Sequence, residues 1–152
     1  MTDASMVLAV LCSGLVAGGL TLVALAVVPV FEQLPVADWT RLHRALDGYV
    51  DRFMPALTIL AIVAGTVAAI LASGTTLRVL LVAGVVGDVA VALVSQTLNL
   101  PLNRTVRGWD PQATPATAGA IRSRWVRFHR LRTAAGVAAT ALFTIGLVLA
   151  YP

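Results

Sequence analysis

The sequence predicts an all-α protein, a four-helix transmembrane bundle with amphipathic cytoplasmic extensions, and three observations lead to it. Hydrophobic residues make up 59% of the 152-residue chain and charged residues only 12%, against about 25% charged in a soluble domain. The apolar residues gather into four runs, Met6 to Val28, Phe53 to Ala72, Leu77 to Leu98 and Thr133 to Tyr151. Each is near the roughly 20 residues that a helix needs to cross about 30 Å of hydrocarbon. The charges collect between the runs. Lipid offers the backbone no hydrogen bonds, so the runs must be helices, and four helices this apolar would leave a soluble bundle no wettable surface. The whole chain, 1–152, reads as one membrane domain.

Run one is preceded by Asp3 and by no Lys or Arg, so it lacks the positive flank of a cleavable signal and is expected to remain as a helix. Gly14 and Gly18 form a small-xxx-small face, with Ser13, Ala17 and Thr21 nearby, that lets helix backbones approach closely. The same face allows assembly with a second copy of the chain. Cys12 is the single cysteine, which excludes an intrachain disulfide. Pro29 and Pro35 bracket the exit from the run.

From Asp38 to Phe53, Trp39, Leu42, Leu46, Tyr49 and Phe53 recur at helical spacing, while Arg41, Arg44, Asp47, Asp51 and Arg52 take other faces. Asp38 is the expected N-cap. This amphipathic helix either lies in the interface or extends run two, with Pro55 placed to kink or divide the two. His43 and Asp47 are four apart, where a carboxylate can orient an imidazole. Between runs two and three, Ser73 to Thr76 is only a turn, and Gly74 suits its positive-φ position.

In run three, Asp88, Ala92, Ser95 and Asn99 share one helical face. A carboxylate is expensive in lipid, so Asp88 is expected to face the bundle interior, either in a functional role or bonded to Ser13, Thr21 or an arginine. The run leaves the membrane through Asn99-Leu-Pro-Leu-Asn103, and Pro101 is expected to end the helix at the preceding residue. A turn at Trp109, Asp110 and Pro111 follows. From about Gly119 a helical pattern resumes, with Trp125, Phe128, His129 and Arg132 on one face.

The net charge of +4 and pI of about 10.6 do not point to nucleic acid, because the charge is placed by the membrane. Arg41, Arg44 and Arg52 lie between runs one and two. Arg104, Arg107, Arg122, Arg124, Arg127, Arg130 and Arg132 lie between runs three and four, and Arg78 alone is on the other side. The positive-inside rule then puts both larger connections in the cytoplasm and both termini outside an inner or plasma membrane, with the lipid bilayer as a partner. The stripe of indole, imidazole and guanidinium offers stacking, proton acceptance and charge stabilisation, which together suit an aromatic oxyanion. Asn99 and Asn103 supply donors and acceptors for a carbonyl or phenol. Two histidines and one cysteine are too few for a metal centre, so neither metal nor cofactor is expected.

The helix ending at Pro29, Asn99 to Arg104 (NLPLNR), Trp109 to Pro111 (WDP) and Trp125 to Arg132 (WVRFHRLR) resemble, in that order, the anthrone oxygenase-like family of small four-helix membrane proteins. The resemblance runs over almost the whole chain. It implies a cofactor-free oxygenase acting with dioxygen on a hydrophobic aromatic small molecule, as in conversion of an anthrone to an anthraquinone in aromatic polyketide pathways. It implies His129 as the base, Arg132, Asn99 and Asn103 as oxyanion partners, and Trp125, Trp109, Ser95 and Asp88 as substrate contacts. Position 129 is His here and Asn in some relatives. Two other classes compete. One is a haem- or quinone-binding membrane protein with His43 and His129 as axial ligands; the other is a noncatalytic accessory or lipid-interacting protein. A cavity lined by Asn99, His129 and Arg132 and reached from the basic side separates the enzyme from the last.

Overall fold

The structure is a computed structural model that describes residues 2–150, apart from the side chains of residues 2 and 50–52. Tyr151, the expected end of run four, and the faces expected for Asp51 and Arg52 lie outside the described residues. The chain forms α1 (Thr2–Leu22), a π turn (Val23–Val27), α2 (Val28–Gln33), α3 (Val36–Leu71), α4 (Thr75–Val94), a second π turn (Ser95–Asn99), α5 (Leu100–Arg107) and α6 (Ala118–Ala150). Among the described residues every element is helical.

Four stretches are long and apolar enough to cross a membrane: Asp3–Gln33, Phe53–Leu71, Thr75–Arg107 and Ala118–Ala150. They form a closed ring in which α1 packs on α3, α3 on α4, α4 on α6 and α6 back on α1. Large apolar side chains cover the outside, among them Leu15, Leu25, Ile70, Val86 and Val148. Their exposure would be costly in water and is favourable in lipid, so this is an integral membrane bundle.

The structure selects one alternative for the amphipathic segment and changes two other expectations about local structure. The amphipathic segment extends run two, the second of the two alternatives, because α3 runs unbroken through Pro55 to Leu71. Asp38 is not the cap: the helix starts at Val36 behind Pro35, and Asp38 sits in its first turn, paired to Arg41 at 2.7 Å. Pro101 does not end its helix. Both π turns stand immediately before a helix with a proline at its start, Pro29 in α2 and Pro101 in α5. A proline in a continuing helix lacks one amide proton and crowds the carbonyl four residues back, and a widened turn relieves both. Gly74 behaves as expected, with φ of +96° between α3 and α4.

The end of the bundle that carries Arg78 is closed by Phe143, fully buried among Met6, Ala9, Ala64, Ala68 and Leu81. Its ring fits only because Gly65 and Gly84 face it: a Cβ at either would come within 2.7 Å of a ring atom. Replacing Gly84 with Val is therefore expected to destabilise the bundle by about 1–3 kcal/mol, measured as a lower thermal midpoint in detergent. An unchanged midpoint would show that the ring can move aside.

Candidate functional site

Polar side chains collect at the opposite, basic end, where α2, the first turns of α3, α5 and the first half of α6 meet. Here Val28, Phe31, Trp39, Leu102, Val106, Trp125 and Val126 form an apolar cluster, with the polar groups threaded through it. Phe31, Trp39, His43 and Trp125 lie ring against ring at centroid distances of 5.1–6.4 Å.

Asp47, one turn beyond His43, is buried. It accepts hydrogen bonds from Asn103 Nδ2 and from Arg107 Nε, the latter at 2.5 Å. Asn103 Oδ1 in turn accepts the indole N–H of Trp125 at 2.8 Å. Thus a carboxylate on α3 holds an amide on α5, and that amide orients an indole on α6. Asn99 donates Nδ2 to the Trp125 carbonyl at 3.3 Å; its Oδ1 is buried without a partner, as is Trp39 Nε1. Unmatched buried polar atoms are costly, and this pair offers one acceptor and one donor beside the aromatic rings.

The Trp125 ring stacks on His129, with centroids 5.1 Å apart and planes 6° from parallel. His129 is completely buried. Its Nε2 lies 3.0 Å from the Leu20 carbonyl oxygen. A carbonyl only accepts, so Nε2 carries the proton and Nδ1 the lone pair. That lone pair receives Arg132 Nη2 at 3.0 Å and Nε at 3.3 Å, while Arg132 Nη1 reaches Ser95 Oγ at 3.2 Å. The site thus contains a neutral imidazole whose basic nitrogen faces a half-buried guanidinium.

Of the residues singled out from the sequence, Asn99, Asn103, Trp125, His129, Arg132 and Ser95 come together. Trp109 packs at the edge of the group, its ring 6.1 Å from that of Trp39. Asp88 stands apart in mid-bundle, as an interior-facing carboxylate: Ser13 Oγ donates to its Oδ1 at 3.1 Å and meets Thr140 Oγ1 at 3.0 Å. His43 is buried beside Trp125, as is His129, so both imidazoles pack on one indole, and both His129 nitrogens are already engaged. The cleft at this end is lined by Glu32, Arg122, Ser123, Val126, Arg127 and Arg130, not by Asn99, His129 and Arg132 as the enzyme reading requires. Among the described residues no three His, Cys, Asp or Glu side chains cluster to hold a metal ion.

The comparisons with known proteins bear on this end of the bundle. A family model described as anthrone oxygenase matches residues 42–142, well over half the chain and all of the connected polar group from His43 to Arg132. The chain belongs to the anthrone oxygenase family. The family match begins inside α3, so α1 and Pro29, which carry part of the resemblance, lie before it. No curated protein and no solved structure matches the chain.

Sequence reasoning missed Asp47 as the holder of Asn103, and missed Arg107, Phe31, Trp39 and the Leu20 carbonyl. Only Asp47 had left a signal, its spacing of four from His43. The arginines expected to serve topology also do structural work: Arg122 donates to the Phe31 and Leu34 carbonyls at 2.9 and 2.8 Å, and Arg44 to the Trp109 carbonyl at 2.9 Å.

Proposed function

We propose that this member of the anthrone oxygenase family is a membrane oxygenase for a flat phenolic substrate such as an anthrone, working without a cofactor. Its basic end faces the cytoplasm. The observation that carries the proposal is the His129–Arg132 pair: a lone-pair nitrogen and a guanidinium in contact, backed by a stacked indole. A phenol oxygen takes the place of the arginine N–H groups at His129 Nδ1 and gives its proton to that nitrogen. The phenolate remains beside Arg132, whose planar fork stabilises the charge. Ser95 steadies the guanidinium, and Trp125, held by Asn103, supports the imidazole from its face. The Asn99 Oδ1 acceptor and Trp39 N–H donor serve a second hydroxyl and a carbonyl on the same ring system.

The reacting phenol is the enol tautomer of the anthrone, in which the methylene has already passed one proton to the carbonyl oxygen; loss of the O–H proton to His129 leaves an anion with carbanion character at that carbon, where dioxygen adds. Loss of water from the resulting peroxide leaves a carbonyl, so one CH₂ and one O₂ become one C=O and one H₂O. Because His129 is buried, the substrate meets Arg132 first, and Arg132 must swing from His129 for turnover.

The test is oxygen uptake by the purified protein in lipid with phenolic anthrones and with quinols, with and without chelator. One O₂ consumed per anthrone, insensitive to chelator, is expected. Replacing Arg132 with Lys is expected to lower uptake at least about tenfold, since charge is kept while the fork is lost. Uptake abolished by chelator, or an equally active Lys variant, would overturn the mechanism. No uptake with any phenol would favour the noncatalytic reading, which the full engagement of His129 supports.

A further inference from the structure

The cleft at the basic end, about 490 Å³ between α2 and α6, lies outside the polar group described above. Arg122, Arg127 and Arg130 face it, against the single carboxylate of Glu32, with Ser123 and Val126 completing the wall. These guanidiniums are only partly used. Arg122 spends Nη1 on two backbone carbonyls, and Arg130 spends Nη2 on Glu32 at 3.1 Å. Arg127 lies over the neighbouring Phe128 ring at 5.3 Å and makes no ion pair among the described residues. All three sit in the first half of α6, a helix with no acidic residue in its first turn. The cleft therefore carries excess positive charge and spare N–H donors in a planar arrangement suited to phosphate oxygens.

What lies next to it selects the kind of phosphate. One turn along α6 from Arg127 stands Leu131, 54% exposed, and Ala134 and Ala138 continue the same exposed, uncharged strip into the membrane-spanning part of the helix. A soluble anion would use the arginines alone. A lipid would use both surfaces, its headgroup in the cleft and an acyl chain along the strip.

We propose that the cleft formed by Arg122, Ser123, Arg127, Arg130 and Glu32 is a binding site for one anionic phospholipid, held through its phosphodiester. Arg127 supplies free donors, Arg130 shares itself between the headgroup and Glu32, and Glu32 limits the affinity by competing for that arginine.

The test counts lipids retained by the full-length protein in native mass spectrometry, after reconstitution in equal parts phosphatidylglycerol and phosphatidylcholine. One phosphatidylglycerol retained in preference to phosphatidylcholine is expected. Arg127→Gln is expected to reduce that retention about fivefold, and Glu32→Gln to increase it. Arg104→Gln and Arg124→Gln, arginines outside the cleft, should leave it unchanged. Arg127→Gln removes no ion pair, so its fold is checked by an unaltered thermal midpoint. Equal retention of the two lipids overturns the proposal. So does an equal effect of the control substitutions, which means diffuse attraction, and so does displacement of the lipid by millimolar inorganic phosphate, which means a site for a soluble anion.

Discussion

Replacing His129 with Ala is expected to lower turnover about 10²- to 10⁴-fold, the usual contribution of a positioned base, and also to destabilise the protein. Sequence alone implies a folded, inactive variant. The structure adds the second effect: His129 has 0% exposure, stacks on Trp125 and holds both the Leu20 carbonyl and Arg132. Its removal leaves a cavity and two unmatched polar groups, together worth about 2–4 kcal/mol. His129→Phe separates the contributions. It keeps the ring against Trp125 and loses the base, so most of the stability should return while oxygen uptake does not. Thermal unfolding in detergent and oxygen uptake on the same preparations check both halves. A Phe variant with normal uptake would remove the imidazole from the chemistry.

Asp47→Ala should show how far the outer frame governs the inner site. It deprives Asn103 Nδ2 and Arg107 Nε of their acceptor, and Asn103 then no longer fixes the Trp125 indole. The expected loss is about 2–3 kcal/mol. That is below the range of about 3–5 kcal/mol for a broken buried ion pair, because the Arg107 side chain is 44% exposed and can turn to water. Asp47→Asn keeps the shape and one acceptor, so it should fall between wild type and Ala. The expected signature is a lower unfolding midpoint together with altered tryptophan fluorescence; an unchanged midpoint would mean that Asn103 finds another partner.

The four spans were legible because hydropathy sums over about twenty residues and survives local detail. The turn at Gly74 was legible because one backbone conformation selects one residue type. Local rules failed where tertiary packing overrode them. Pro55 and Pro101 read as interruptions, yet neighbouring helices hold both segments in line, and beside Pro101 the backbone widens at Ser95–Asn99 instead of stopping. Along a single helix, the spacing of Trp125, His129 and Arg132 was enough to foresee their contact. Asp47 with Asn103 was not foreseeable, since those residues are 56 positions apart and nothing in either local pattern names the other. Spacing also gave Asp88 and Asn99 one face, but the bundle gives them different companions: Ser13 for one and the Trp125 backbone for the other.

Phe143 is wedged between Gly65 and Gly84 in the half of the bundle opposite the polar group. The ring fills the space between α3, α4 and α6 at that level. That half of the bundle is therefore an interlocked, solid base from which the polar end is held.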